Sequence, residues 1–257
     1  MKKQKRQENK SGLWNYSSEE EQDVRSELLD LYKNHPINDD EILANLGLFI
    51  NSKNLSRILF MNLLYSKITD VHGSIFDFGT RWGQNAAIFT ALRGIYEPFN
   101  RHRRVIACDT FTGFPSVAPE DGSQEMMRPN NLAVSDDYPG YLEKVLRCHE
   151  KDNPAGHISK VDLIAGDVCI ELPAYMKRKP ETIVAMAYFD LDIYEPTKAC
   201  LEIIKDRLVK GSIVAFDELN DHDSPGETIA LAETVGLRNI RLQRSPFTSR
   251  TSYFIVE

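Results

Sequence analysis

From Gly73 onward, short continuous apolar runs alternate with stretches that repeat apolar residues every three or four positions. The runs SIFDFG, RVIACD, VDLIAG, IVAMAYFD and GSIVAFD are apolar throughout rather than alternating, as expected of strands buried on both faces of a parallel sheet. Helical periodicity fills the intervals near 85–93, 141–149, 169–177 and 196–208, the arrangement of βα units. Two further short runs, 240–242 and 252–256, complete the sheet as a terminal hairpin. The pattern predicts an α/β fold with a doubly wound, mostly parallel, seven-stranded sheet over 71–257.

Ahead of it, 18–70 is patterned as helix: Leu55, Ile58, Leu59, Leu63, Leu64 and Ile68 follow the period of 3.6. Residues 1–17 begin MKKQKRQENKSG, with no apolar stretch behind the charges, and predict a disordered basic tail rather than a secretory signal. Between 110 and 140 neither period persists, and Pro and Gly are scattered throughout. A connection of that length leaving the carboxyl end of the second strand predicts a functional lid.

Composition narrows the function classes. A chain of 257 residues with 42% hydrophobic positions can bury one large α/β core, and no apolar run approaches the roughly 20 residues that span a bilayer. The expected location is the cytoplasm. With 38 acidic against 31 basic residues, the formal charge of −7 opposes sequence-independent nucleic-acid binding. Arg101, Arg103 and Arg104 form the main basic cluster, either a local anion site or a solvated loop. Cys108, Cys148, Cys169 and Cys200 are widely spaced, which suggests reduced, buried thiols rather than a disulfide framework or zinc site.

The residues that carry chemistry fall at strand ends. The first strand closes in Phe76-Asp77-Phe78-Gly79-Thr80-Arg81-Trp82-Gly83, a glycine turn opening into a helix. Gly79 lets backbone pass close to a ligand, and the helix start offers unpaired N–H groups. Gly79 and Gly83 are four residues apart where a dinucleotide fingerprint has two, which argues against pyrophosphate. Asp109, ending the second strand, offers two acceptor oxygens to a ribose diol. Asp167, after the third strand, is either an adenine contact or a helix cap. Asp190-Leu191-Asp192 and Asp217-Glu218 close the fourth and fifth strands. Four carboxylates on neighbouring strand ends repel one another unless a cation or protons intervene, and a donor set of oxygens alone selects a hard ion such as Mg²⁺ or Ca²⁺.

The runs FDFGTRWG, ACDTFTGFP, FDLDIYEPT and GSIVAFDE resemble those of the macrocin O-methyltransferase family over roughly 73–226. That family methylates sugars in antibiotic biosynthesis with S-adenosylmethionine and Mg²⁺. The resemblance implies cofactor binding by Gly79, Thr80, Asp109 and Asp167, with Asp190 beside the sulfonium. Arg81 and Thr110, in the same two turns, join that set. It implies metal ligation by Asp192, Asp217 and Glu218, the last standing where many members have aspartate. The expected function is therefore S-adenosylmethionine- and divalent-metal-dependent O-methylation of a sugar or nucleotide-linked deoxysugar. The expected assembly is a homo-oligomer, from the apolar face of the N-terminal helices and the family's tendency to associate. Asp192 is the candidate base, with His222 second because a metal-ligated carboxylate is a poor base. A nicotinamide oxidoreductase would share Gly79 and Asp109 but has no use for the acid cluster, and a non-catalytic nucleotide-binding scaffold would bind cofactor without turnover.

Overall fold

The computed structural model describes residues 17–257 and the backbone of two short strands, β1 (Gln7–Glu8) and β2 (Trp14–Asn15), which pair antiparallel. The expected disordered tail otherwise lies outside the described residues. The chain divides into two compact units, 1–57 and 58–257, with the division inside α2 (Ser52–Ser66). In the first unit, α1 (Glu19–Lys33) starts at a capping box. Ser18 Oγ accepts from Glu21 N at 3.2 Å, and a Glu21 carboxylate oxygen accepts from Ser18 N at 2.8 Å. A 3₁₀ turn follows at Leu43–Phe49, and Tyr32 meets Phe49 edge-on at 5.1 Å.

The second unit is built on a seven-stranded sheet. Its strands are β3 (Ser74–Phe78), β4 (Val105–Asp109), β5 (Val161–Ala165), β6 (Val184–Phe189), β7 (Leu208–Phe216), β8 (Gln243–Arg244) and β9 (Ser252–Ile255). The spatial order is β5-β4-β3-β6-β7-β9-β8, parallel from β5 to β7 and antiparallel in the last two pairings. The expected doubly wound sheet and terminal hairpin are present. Residues α3 (Gln84–Tyr96) and α4 (Tyr138–Asp152) pack with the later part of α2 on one face, where Phe60, Leu64, Phe89 and Leu146 join Ile75, Met186 and Ile213. On the other face, α5 (Val168–Arg178), α6 (Tyr194–Ile204) and α7 (Gly226–Thr234) set Leu172, Leu201 and Leu231 against Phe76, Phe78, Phe189 and Val214. Successive residues of β3 thus serve opposite faces, which is why the strand runs are continuously apolar. Each such side chain, fully buried, contributes about 1.5–3 kcal/mol.

Four expectations need correction. The helix predicted to 208 ends at Ile204, because Leu208 pairs with Val184 as the first residue of β7. Strand pairing outweighs a helical period that Leu208 happens to match. The penultimate strand is at 243–244, not 240–242, and α7 occupies a stretch with no predicted element. The basic cluster is not a solvated loop as a whole: Arg103 is 2% exposed and donates to the carbonyls of Ile68, Val71 and Gly73, while Arg104 forks onto Asp162 at 2.6 and 2.7 Å. Finally, Cys108 and Cys200 are buried but Cys148 and Cys169 are exposed, and all four are free thiols. Among the described residues, no helix is long and apolar enough to cross a membrane.

Candidate active site

Strand order reverses between β3 and β6, and ligands of this architecture bind at the carboxyl ends on either side of that point. The two strands touch there through Gly79, which has φ 83° and whose Cβ, if it had one, would lie 1.8 Å from the Asp190 carbonyl oxygen. Only glycine fits this turn. Its N–H and that of Thr80 both donate to the Cys108 carbonyl, at 2.9 and 3.1 Å. Asp77, fully buried, anchors the turn from below: Thr80 Oγ1 donates to it at 2.7 Å and Asn85 Nδ2 at 3.3 Å. Gly83, also in the left-handed region, begins α3 where a Cβ would meet Leu142 at 2.2 Å, so α4 closes directly on this turn.

Asp109 ends β4 beside that turn. Its two oxygens accept from Arg81 N at 2.8 Å and Phe111 N at 2.6 Å, one bond to each. Burial pushes its carboxyl above the ordinary aspartate value, and these two amides oppose the push. The structure therefore brings Gly79, Thr80, Arg81 and Asp109 together. Arg81 Nε is buried with no hydrogen-bond partner among the described residues. Thr110 turns away to donate to the Gly113 carbonyl at 2.6 Å. Asp167 caps α5, accepting from Cys169 N at 2.9 Å, which is the helix-cap alternative for that residue.

The acids at the ends of β6 and β7 form the second half of the site. Asp192, Asp217 and Glu218 are 8%, 8% and 7% exposed, and Glu227 from α7 is fully buried among them. Burial first, and then the charges of Glu218, Asp190, Glu227 and Asp217, raise the Asp192 carboxyl well above its ordinary range. Burial likewise raises Glu218, against which Arg250 and Ser224 work, and burial with Glu218 and Asp190 raises Glu227. Arg250 Nη1 lies 2.6 Å from Glu218 and 2.9 Å from Asp221, Ser224 Oγ donates to Glu218, and Tyr188 Oη donates to Asp217 at 2.7 Å. Among the described residues, Glu227 Oε2 has no hydrogen-bond partner. The donor chemistry, oxygens only with an unpartnered buried acceptor among them, fits a hard divalent ion. Among the described residues, no three His, Cys, Asp or Glu side chains already stand together as a formed metal site. Asp192 adopts φ 62°, a left-handed conformation that Asp tolerates better than most residues with a Cβ.

His222 is in the loop after β7, with its side chain 92% exposed and Nδ1 3.3 Å from Asp223. The aperiodic stretch after β4 contains a 3₁₀ turn, Pro119–Asp121, and ends where α4 begins at Tyr138. It is tied across the acidic edge: Asp121, 1% exposed, accepts from Tyr194 N at 2.6 Å, and Gln124 donates to Asp223 at 2.9 Å. Sequence reasoning missed Tyr188, Glu227 and Arg250. Tyr188 stands inside a strand read as core, Glu227 on an unpredicted helix, and Arg250 in the turn before the last strand, and none carries a motif.

No family model and no curated protein matches the chain. Among solved structures it is similar to CalS11, a calicheamicin methyltransferase, at 42% identity over 94% of both chains with a TM-score of 0.91. The apo structure of CalS11, described as a TDP-rhamnose 3′-O-methyltransferase of calicheamicin biosynthesis, matches at 40% identity over 94% of this chain and 96% of that one, with a TM-score of 0.83. The O-methyltransferase NovP, at 19% identity over 78% of this chain and 79% of its own, with a TM-score of 0.61, shares the fold.

Proposed function

The chain belongs to the O-methyltransferase family of CalS11, and from that premise we propose that it transfers the methyl group of S-adenosylmethionine to a hydroxyl of a nucleotide-linked deoxysugar, with a hard divalent ion at its acidic edge. The observation that carries this reading is the adjacency of a glycine turn with its own carboxylate, Gly79 with Asp109, to a buried cluster of acids at the next strand ends. A nicotinamide oxidoreductase would need only the first half. The sugar class and a TDP carrier come from CalS11.

The roles follow from the atoms each residue offers. Gly79, Thr80, Arg81 and Asp109 receive the nucleoside, with the Asp109 carboxylate accepting from the ribose diol; Arg81 Nε is available to a ligand carboxylate. Asp167 and Thr110, whose side chains are used locally, line the same edge through their backbone. Asp190 stands at the Gly79 contact, where donor and acceptor meet. Asp192, Asp217 and Glu218 would hold the ion, and Glu218 would then exchange Arg250 and Ser224 for it. When bound, the methyl donor supplies an electrophilic carbon and the ion lowers the acidity barrier of the sugar hydroxyl. Asp192 is the candidate to take the hydroxyl proton in this scheme by its place at the buried acidic edge. His222, so exposed, is the weaker candidate. The 110–140 segment acts as the lid, tied at Asp121 and Gln124.

The test is an assay with S-adenosylmethionine and TDP-rhamnose, read by mass spectrometry, in chelated buffer and with Mg²⁺ restored. A methylated sugar nucleotide that forms only with Mg²⁺ present is the expected result. Cofactor binding with no product from any deoxysugar nucleotide would leave a scaffold, and full turnover in EDTA would remove the ion.

A further inference from the structure

Asp192 holds φ 62°, in the left-handed region, with its side chain buried at the acidic edge. What fixes this turn comes from a distant part of the chain. Glu227 Oε1 accepts from Leu191 N at 3.0 Å and from Asp192 N at 3.3 Å. Glu227 is fully buried in the first turn of α7. That turn is wedged against the start of α6: a Cβ on Gly226 would lie 2.3 Å from Asp121 Oδ1 and 2.8 Å from Tyr194 N. Asp121 in turn accepts from Tyr194 N at 2.6 Å. Residues 191–194 are thus gripped at both ends by buried carboxylates acting on backbone amides.

We propose that Glu227 is a positioning residue for the methyl transfer: its Oε1 holds the Leu191–Asp192 amides, and so keeps the Asp192 carboxylate in the reaction site. The inference rests on the assignment of Asp192 to the chemistry above. Glu227 binds through one oxygen, while Oε2 finds no donor among the described residues. A glutamine supplies the same acceptor and places an N–H₂ where Oε2 stands, near Asp190 and Glu218, so it reproduces the grip. Methionine fills the volume with no acceptor.

The experiment compares the full-length wild type with Glu227→Gln, Glu227→Met and Asp192→Asn, in turnover at saturating acceptor, acceptor KM and cofactor Kd. Glu227→Met should lose about 10- to 100-fold in kcat, the scale of a misplaced reacting group, with cofactor Kd unchanged within about twofold. Glu227→Gln should keep kcat within about threefold of wild type, a split that loss of packing alone would not produce. Wild-type turnover in Glu227→Met, or equal damage in both variants, overturns the proposal. Should Glu227→Met fail to fold, amide exchange at Leu191 and Asp192 decides with Glu227→Gln. Protected amides with retained kcat support the grip, and either one lost overturns it. A fully active Asp192→Asn would instead overturn the active-site reading on which the inference rests.

Discussion

The ends of β3 and β4 and the ends of β6 and β7 both carry carboxylates, yet the fold surrounds the two groups differently. Asp77 and Asp109 are surrounded by donors: a hydroxyl and an amide for the first, two backbone N–H groups for the second. Asp192, Glu218 and, from α7, Glu227 are packed against one another; Glu218 also meets Arg250 and Ser224, and Glu227 the Leu191 and Asp192 amides, yet burial with the neighbouring acids raises all three. On the proposed reading the first edge receives the nucleoside and the second, where acids crowd, holds the ion and the reacting hydroxyl, so that binding and chemistry are separated along one sheet edge.

The sharpest way to break this division is Asp192→Asn, which should cost about 100-fold or more in turnover while leaving cofactor affinity in place. Calorimetry and the methylation assay, run on one preparation, check both halves; a joint loss would mean that the two edges are one site. Asp109→Ala should do the converse, weakening cofactor binding by about 1.5–3 kcal/mol, the worth of hydrogen bonds to a charged acceptor. A cofactor Kd equal to wild type would place the ribose elsewhere.

Asp109 also gives a pH signature. Its folded pKa is raised, chiefly by burial, so its contribution to stability is present below the unfolded value of about 3.9 and is lost as pH rises through the folded one. Acceptance from a ribose needs the carboxylate, so cofactor affinity should move the other way, falling as pH falls through the same raised pKa. Affinity measured across the weakly acid range should show that fall in wild type and none in Asp109→Asn. The smallest effect expected is from Tyr188→Phe, which removes one donor from Asp217. A loss of about 1 kcal/mol would lower the unfolding midpoint by roughly 2–4 °C, readable by calorimetry. No change would show that Asp217 is held by other partners.

Much of this was legible in the chain. Continuous apolar runs fixed the parallel sheet, since a strand covered on both faces has no polar side to display, and strand-end acids announced themselves by interrupting those runs at Asp109, Asp190 and Asp217. Gly79 was readable as a tight turn between strand and helix, and the structure shows that the approach of the Asp190 carbonyl requires a glycine there. What depended on contact between distant segments was not readable. Leu208 fits a helix until it meets Val184, and Arg103 looks like a surface charge until three carbonyls close around it. Glu227 is one acid in an unpredicted helix until its oxygen reaches the amides of Leu191 and Asp192. Local pattern thus determined which residues end strands and which chemistry they bring. Only the tertiary structure decided which donors each acid meets and which acids are packed together, because hydrogen-bond satisfaction is a property of the partners that folding brings within about 3 Å.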